Sequence, residues 1–162
     1  MNGKAHAQRL WSAELAGQAM APLRVEVSAT TVVLGALATR DYAPMHHDHA
    51  YATQISGTRD IFLNTPHQAA LFERYLTDWS GPRGRLGRMR LSMKDSVCPG
   101  DTMQIAGRIG KAELDARGCG WLHAVLVLTV ADRLMTECHA RFALPVEAGD
   151  NPWRRHGDDW QP

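Results

Sequence analysis

Residues 39–52 carry the side chains of this sequence that could do chemistry. Asp41 lies five positions before His46, and Pro44 stands between them. Proline fixes its own φ and disfavours helix at the residue before it, so Ala43 and Pro44 are predicted to form a turn. That turn could bring the carboxylate and the imidazole to the same place. A carboxylate and an imidazole that share one water form a minimal general acid/base pair.

A plainer interpretation fits the same spacing. Asp41 could cap the turn at Tyr42, with His46 an ordinary polar loop residue, because an Asp and a His five positions apart are common. The H-H-D-H run at 46–49 also suggests a metal site. Adjacent histidines in an extended turn point in different directions, however, and no Cys or Glu completes a recognisable ligand set, so we expect no metal.

The stretch resembles the signature of the MaoC-like (R-specific) enoyl-CoA hydratases. That signature is a small residue, Gly, Asp, any residue, Asn, Pro, an aliphatic residue and His, then five residues and a small one. The positions that fit it are Thr39, Asp41, Pro44, His46 and Ala52. The positions that depart from it are Arg40 for glycine, Ala43 for asparagine and Met45 for the aliphatic residue. Because the asparagine normally helps to orient the site, its geometry here must be maintained differently.

A narrower resemblance extends beyond this signature. The segments R-D-Y-A-P-M-H-H-D (40–48), G-T-R-D-I-F-L-N (57–64) and F-E-R-Y-L-T-D-W-S-G-P (72–82) are similar to the small MaoC-like subunit of actinobacterial steroid side-chain hydratases. The resemblance covers residues 23–145. It implies a hotdog fold, an antiparallel sheet wrapped around one long helix.

The resemblance also implies roles in the hydration of an α,β-unsaturated acyl-CoA. Asp41 and His46 would hold the water, with Asp41 the stronger candidate for the base. Backbone N–H groups at the start of the long helix would stabilise the thioester oxygen, where the helix dipole also helps. Asn64 and Thr65 occupy that region and are predicted substrate contacts, whereas Pro66 has no N–H. Coenzyme A is part of the substrate, so no separate cofactor is expected.

Three further positions are predicted substrate contacts, each with a plainer alternative. His47 is either a wall of the acyl pocket or part of a solvated face. Gly57 lies in a ligand approach loop or a plain turn. Arg88 belongs to a group of arginines that either bind the phosphates of coenzyme A or line a solvated strand face. The group is Arg83, Arg85, Arg88 and Arg90.

The elements that must position these residues are also predicted. Thr65 suits a helix N-cap and Pro66 the first helical position, with Gln68 completing a capping box. Apolar residues then recur at helical spacing until Ser80-Gly81-Pro82. Beyond that point the period changes to two, which predicts four antiparallel strands. The third, in residues 119–131, is apolar on both faces, as a central strand is.

Shorter signals complete the prediction. Residues 23–27 alternate and predict a strand. Residues 28–38 are ambiguous, because Ser28 can cap a helix whereas residues 30–33 are β-branched, and we favour a helix. Gly107 is a predicted bulge. A hairpin tip is predicted at Asp132-Arg133.

Together these elements predict an α+β fold, a single hotdog. We divide the chain into an N-terminal leader (1–22), a MaoC-like hotdog domain (23–146) and a flexible C-terminal tail (147–162). The tail segment is rich in turn formers and charges, and its two tryptophans could dock on a partner.

Composition narrows the function classes. A chain of 162 residues can bury a core as one domain, and a net charge of +1 gives no sign of a nucleic-acid partner. The three cysteines are an odd number without close pairing, so we expect free thiols. We see no signal peptide and no apolar run long enough to cross a membrane, which predicts a cytoplasmic protein.

Three functions fit these features of the sequence. The chain could be an enoyl-CoA hydratase acting on a bulky, steroidal acyl group. It could be a hotdog thioesterase in which Asp41 activates water against the carbonyl. It could also be a non-catalytic acyl-CoA-binding subunit that completes another protein's site. A single hotdog of this family needs a second one, so the predicted partner is a different MaoC-like subunit or a second copy.

Overall fold

A five-stranded antiparallel sheet wraps around one long helix in the computed structural model, which describes residues 7–162. The strand order is β1-β3-β4-β5-β2. The strands are β1 (Ala19–Glu26), β2 (Arg85–Met93), β3 (Thr102–Leu114), β4 (Gly120–Val130) and β5 (Arg133–Leu144). The helices are α1 (Ala29–Ala38), α2 (His49–Gln54) and α3 (Thr65–Ser80). This is the predicted hotdog arrangement, with one strand before the long helix and four after it.

The core lies between α3 and one face of the sheet. Phe72 and Leu76 of α3 are buried together with Leu122, Leu126 and Leu128 of β4. Strand β4 is the middle strand, as its apolar character on both faces predicts. Burial of this face is what holds α3 in place, since the apolar side of a helix must be covered.

The turn between β4 and β5 lies one residue earlier than predicted. Ala131 and Asp132 both have positive φ, 47° and 64°, and form the two-residue tip. Gly107 pairs with Leu126 in a regular part of the β3–β4 ladder, and its pair with Met20 borders a register shift whose extra residue lies in β1. Within β3 the extra residue is Gly110, between the β4 pairs of Ile109 and Lys111. The predicted bulge therefore lies in β3, but at Gly110 and not at Gly107.

The start of α3 differs from the capping box predicted at Thr65. Asn64 is the N-cap, and its side chain accepts a hydrogen bond from the His67 N–H. Gln68 is fully buried and does not cap the helix. Its Nε2 donates to the Leu63 carbonyl at 3.3 Å, and its Oε1 accepts from the Thr136 hydroxyl at 2.6 Å. Asn is a strong N-cap, and its carbonyl oxygen reaches the third N–H of the helix here.

Helix α1 resolves the ambiguity of residues 28–38 in favour of the helix. The Ser28 side chain accepts from the Thr31 N–H, and the Thr31 side chain accepts from the Ser28 N–H. This reciprocal cap outweighs the β-branched residues that follow. Strand β1 begins at Ala19, four residues before the predicted domain boundary.

Residues 147–162 lie against the sheet. The ring of Trp160 is 4.7 Å from that of Trp121 between centroids, and the Arg85 guanidinium lies 3.7 Å over the Trp160 ring. The predicted flexible tail therefore has specific contacts, and the mobility of this segment stays a prediction. Other contacts are hydrogen bonds to backbone carbonyls, such as those of Pro152 and Arg155, which accept from Arg85, so no periodicity in the sequence predicts them.

Two other features complete the description. All three cysteines, Cys98, Cys119 and Cys138, are buried free thiols, as predicted. Within residues 7–162 no helix has both the length and the apolar character needed to span a membrane.

Candidate active site at the end of α1

The end of α1 directs Asp41 into the site. The Asp41 N–H donates to the Ala36 carbonyl at 2.9 Å, and the Arg40 N–H donates to the Leu37 carbonyl at 3.1 Å. This pair of bonds is a Schellman motif, which requires a left-handed residue just before its last one. Arg40 takes that conformation, with φ of 55°. A glycine adopts it without strain, which is the physical reason for glycine at this position of the hydratase signature.

The predicted turn is present and brings the two side chains together. The Asp41 Oδ1 accepts from the Ala43 N–H at 3.2 Å, and Pro44–His46 follows as one turn of 3-10 helix. As a result, His46 Nε2 lies 3.4 Å from Asp41 Oδ2. The His46 side chain is only 6% exposed, whereas that of Asp41 is 28% exposed. The carboxylate is therefore the member of the pair that faces the surface.

The imidazole of His46 is held by Phe62. His46 Nδ1 lies 2.8 Å from the Phe62 carbonyl oxygen, and the two rings meet edge to face at 4.9 Å. A carbonyl oxygen can only accept a hydrogen bond, so Nδ1 carries the hydrogen. In the neutral imidazole, Nε2 then presents its lone pair towards Asp41.

This arrangement suits one bound water. With His46 neutral, Nε2 and Asp41 Oδ2 are both hydrogen-bond acceptors, so neither can donate to the other across 3.4 Å. A water molecule has two hydrogens and can donate one to each. Its oxygen would then be held at a fixed point, with a carboxylate in position to take one of its protons.

Asn64 also belongs to this site. Its Nδ2 donates to Asp41 Oδ2 at 2.9 Å and to Thr39 Oγ1 at 2.7 Å, while its Oδ1 accepts from the His67 N–H at 3.1 Å. The sequence predicts Asn64 as a substrate contact, but these bonds occupy its side chain. The position of Asn64 directly before Thr65-Pro66 is a sequence signal for helix capping. No sequence signal indicates its contact with Asp41, because that contact depends on the fold.

These contacts fix the charge of Asp41. The hydrogen bond from Asn64 lowers the pKa of Asp41 below its ordinary value, and the Ala43 N–H acts in the same direction. Desolvation opposes them but does not prevail. Asp41 is therefore a carboxylate at neutral pH, the form that a general base needs.

Thr65 lies beside the pair at the first position of α3. Its hydroxyl contacts Met93 Sδ at 2.8 Å, and its N–H has no partner within the helix because first-turn N–H groups have none. His47 is exposed and ends the 3-10 turn after His46. Both residues adjoin the site, and their contact with substrate stays a prediction.

Gly57 and Arg88 are placed differently. Gly57 has φ of 70° and lies in the exposed turn after α2. Arg88 pairs with Arg141 on the sheet face that carries Trp121, opposite the face packed on α3, and its guanidinium donates to the Pro162 carbonyl. The structure does not bring Arg88 to the Asp41 site of the same chain.

The other histidine of the H-H-D-H run has a partner of its own. His49 Nδ1 lies 2.8 Å from Asp60 Oδ1. Across residues 7–162 there is no group of three or more His, Cys, Asp or Glu side chains placed to hold a metal ion.

Comparison with curated proteins gives a relative that is a hydratase subunit. The chain is 33% identical over 93 residues to the 3-oxo-4,17-pregnadiene-20-carboxyl-CoA hydratase beta subunit of Mycobacterium tuberculosis, which covers 57% of this chain and 71% of that protein. No protein-family model matches the chain.

Solved structures agree with this relationship. One chain of the ChsH1-ChsH2 complex from Mycobacterium tuberculosis superposes with a TM-score of 0.72 at 26% identity, and the match covers 80% of this chain and 97% of that chain. A MaoC-like dehydratase from Rhodospirillum rubrum superposes with a TM-score of 0.71 at 20% identity, covering 84% and 97%. The (R)-hydratase of A. caviae superposes with a TM-score of 0.70 at 22% identity, and the match covers 80% of this chain and 96% of that chain. The last two, below 25% identity, show the fold. The chain belongs to the MaoC-like hydratase family, has its hotdog fold, and is similar within it to a steroid side-chain hydratase beta subunit.

Proposed function

We propose that this chain is the small subunit of an enoyl-CoA hydratase that adds water to an α,β-unsaturated acyl-CoA. The observation that carries the proposal is the pair Asp41 and His46, 3.4 Å apart, with the imidazole oriented by the Phe62 carbonyl. Asp41 takes one proton from the water held between them. The water oxygen adds to Cβ, and a proton is added at Cα.

The start of α3 serves the thioester end of the substrate. Negative charge develops on the thioester oxygen as water adds, and backbone N–H groups at a helix N-terminus stabilise such charge. The Thr65 N–H is the donor in that position, next to Asn64. The chemistry needs no cofactor beyond the coenzyme A that the substrate carries.

A bulky, steroidal acyl group is the proposed substrate. The relative's name describes a pregnadiene carboxyl-CoA, a steroid side-chain thioester. The elements around Asp41 expose large apolar side chains, as a surface that meets a fused-ring substrate or an apolar subunit would. These are Leu34 (58% exposed), Leu37 (52%), Tyr42 (68%) and Ile55 (69%).

We propose a second, different hotdog subunit as the partner, with a homodimer as the alternative. Strand β2 is an edge strand nine residues long that pairs only with β5 in the described part of the chain. An unprotected edge of this length invites pairing with another sheet. Met93, at the end of β2, contacts Thr65, so a partner sheet at this edge would lie beside the site. The neighbouring M. tuberculosis structure is a complex of two subunits, and the curated relative is a beta subunit.

The test is hydration by the reconstituted complex. This chain is co-purified with a candidate larger MaoC-like subunit, and a steroid enoyl-CoA is followed for loss of its conjugated absorbance and gain of the mass of one water. Asp41→Asn in the complex should lower turnover by about a hundred- to ten-thousand-fold, the usual contribution of a general base. Asp48→Asn is the matched control, because Asn can still cap α2 there.

Other outcomes would contradict the proposal. Release of free coenzyme A thiol instead of a hydrated product would identify a thioesterase. Near-normal turnover of the Asp41→Asn complex would show that this chain is a non-catalytic partner and that the chemistry belongs to the other subunit.

A further inference from the structure

One side chain joins three segments of the chain at the site. Asn64 caps α3 through the His67 N–H, donates to Thr39 at the end of α1, and donates to Asp41 in the loop between them. Asn64 is 2% exposed. A buried amide with all its hydrogen bonds made has little freedom to move, because any rotation leaves polar groups unpaired.

The orientation of this amide follows from its partners. The His67 backbone group is an N–H and can only donate, so the Asn64 oxygen must face it. The Asn64 nitrogen therefore faces Asp41, and its second hydrogen goes to Thr39 Oγ1. The Thr39 hydroxyl donates in turn to the Gly35 carbonyl at 2.8 Å, which leaves its oxygen free to accept.

Few other groups hold the Asp41 carboxylate. Ala43 supplies only its backbone N–H, to Oδ1 at 3.2 Å, since its side chain has no polar atom. When the His46 ring is neutral with its hydrogen on Nδ1, Nε2 presents a lone pair and cannot donate to Oδ2. Among residues 7–162, Asn64 is then the side chain that donates to the Asp41 oxygen facing His46, at 2.9 Å.

The geometry points to Asn64 as a positioning residue, which holds Asp41 Oδ2 at the place where it and His46 share one water. This inference rests on the proposed hydratase function and assigns Asn64 no contact with the substrate. Ala43 stands where the family signature has an asparagine, and the Asn64 amide, at the N-cap of α3, takes the place of that polar side chain.

Two variants separate positioning from helix capping. Asn64→Ser and Asn64→Asp both keep an oxygen that can cap α3, so the helix should remain. Both lose the amide donor, and Asn64→Asp also places a second negative charge beside Asp41. Asn151→Asp is the matched control, because Asn151 caps a 3-10 turn near the C-terminus in the same way.

The expected result in the active complex is a loss of kcat of about a hundredfold, as for misplacement of a catalytic group by about 1 Å, with a smaller change in KM. The acid limb of the kcat/KM profile should move to higher pH, further for Asn64→Asp than for Asn64→Ser. A lower melting temperature with an unchanged kcat and acid limb would reduce Asn64 to a helix cap and overturn the inference.

A second measurement does not depend on turnover. The Asp41 carboxyl-carbon NMR signal, identified by its absence in Asp41→Asn, is titrated in the complex. Its midpoint should move to higher pH in Asn64→Asp and stay unchanged in Asn151→Asp. If the wild-type complex does not hydrate but this shift is present, the proposed function fails while the positioning of Asp41 by Asn64 stands. An unchanged midpoint in folded Asn64→Asp contradicts the positioning itself.

Discussion

The Nδ1 atom of His46 donates to the carbonyl oxygen of Phe62 at 2.8 Å, and this bond decides what the other ring nitrogen can do. Because the hydrogen is on Nδ1, Nε2 of the neutral ring is an acceptor aimed at Asp41. Phe62 precedes α3 by a few residues, so the segment that leads into the long helix also sets the tautomer of the imidazole.

Asp41 and His46 should act as a unit. His46→Ala is expected to lower turnover of the complex about as far as Asp41→Asn, since each variant removes one of the two acceptors for the same water. The double variant should then be little worse than either single one. Steady-state kinetics of the four proteins tests this. Fully multiplicative losses would mean that the two residues act on different steps.

Glu113 should make stability depend on pH in the acid range. A hydrogen bond from Lys111, with a further one from His123, lowers the pKa of Glu113 from 4.5 to about 2. Its contribution to the free energy of unfolding is therefore present above pH 4.5 and is lost as the pH falls through about 2. Between these pH values, the free energy of unfolding, measured by urea titration, should fall more steeply with decreasing pH for the wild type than for Glu113→Gln.

A matched control for this measurement is available on β5. Glu137 forms a longer ion pair, with its Oε2 3.5 Å from Lys94 Nζ. The free energy of unfolding of Glu137→Gln should change with pH as that of the wild type does between pH 4.5 and about 2. An equal effect of the two substitutions would show that general charge, and not the contacts of Glu113, causes the acid sensitivity.

Arg40→Gly should stabilise the fold. A left-handed conformation costs a residue with a side chain roughly 1–2 kcal/mol, and the greater freedom of glycine in the unfolded chain offsets part of that gain. We expect a net increase of up to about 1 kcal/mol, or about 2–4 °C in Tm. Arg40→Ala keeps the strained conformation and serves as the control. A lower Tm for Arg40→Gly would mean that the arginine side chain makes a stabilising contact that exceeds the strain.

Trp160 should contribute more to stability than Trp153. Trp160 covers Trp121, which is fully buried, and lies under the Arg85 guanidinium, whereas Trp153 is 58% exposed. Trp160→Ala is expected to cost about 1–2 kcal/mol by uncovering an aromatic ring, and Trp153→Ala less than about 1 kcal/mol. Thermal unfolding of both variants tests this. Equal, negligible losses would support the flexible tail that the sequence predicts.

Expressed alone, the chain should form a homodimer of modest stability or aggregate. Its β2 edge and the apolar residues around Asp41 are uncovered in a monomer, and an obligate interface of this kind typically exceeds about 2,000 Å². Mixing with the second subunit should convert it to a hetero-oligomer in analytical ultracentrifugation. A stable, monodisperse monomer would contradict the proposed assembly.

The fold could be predicted largely because the chain changes its hydrophobic period where the architecture changes. The run ending at Ser80 has a helical period, and the strands after it alternate. The approach of Asp41 to His46 could be predicted because local turn chemistry brings the two side chains together. The contact of Asn64 with Asp41 could not be predicted, because it spans 23 positions and depends on how α1 and α3 pack. Alternation along β2 separates two faces but does not say which one meets the helix, so the position of Arg88 relative to Asp41 could not be predicted either.

The cap of α3 has a consequence for local opening of the protein. Because Asn64 both accepts from the His67 N–H and donates to Asp41, the first turn of α3 cannot fray without releasing the carboxylate. Fraying exposes the His67 amide to solvent, where its hydrogen exchanges. The exchange rate of this single amide is therefore a gauge of how often the site is disassembled in the resting protein, and it can be read without any substrate.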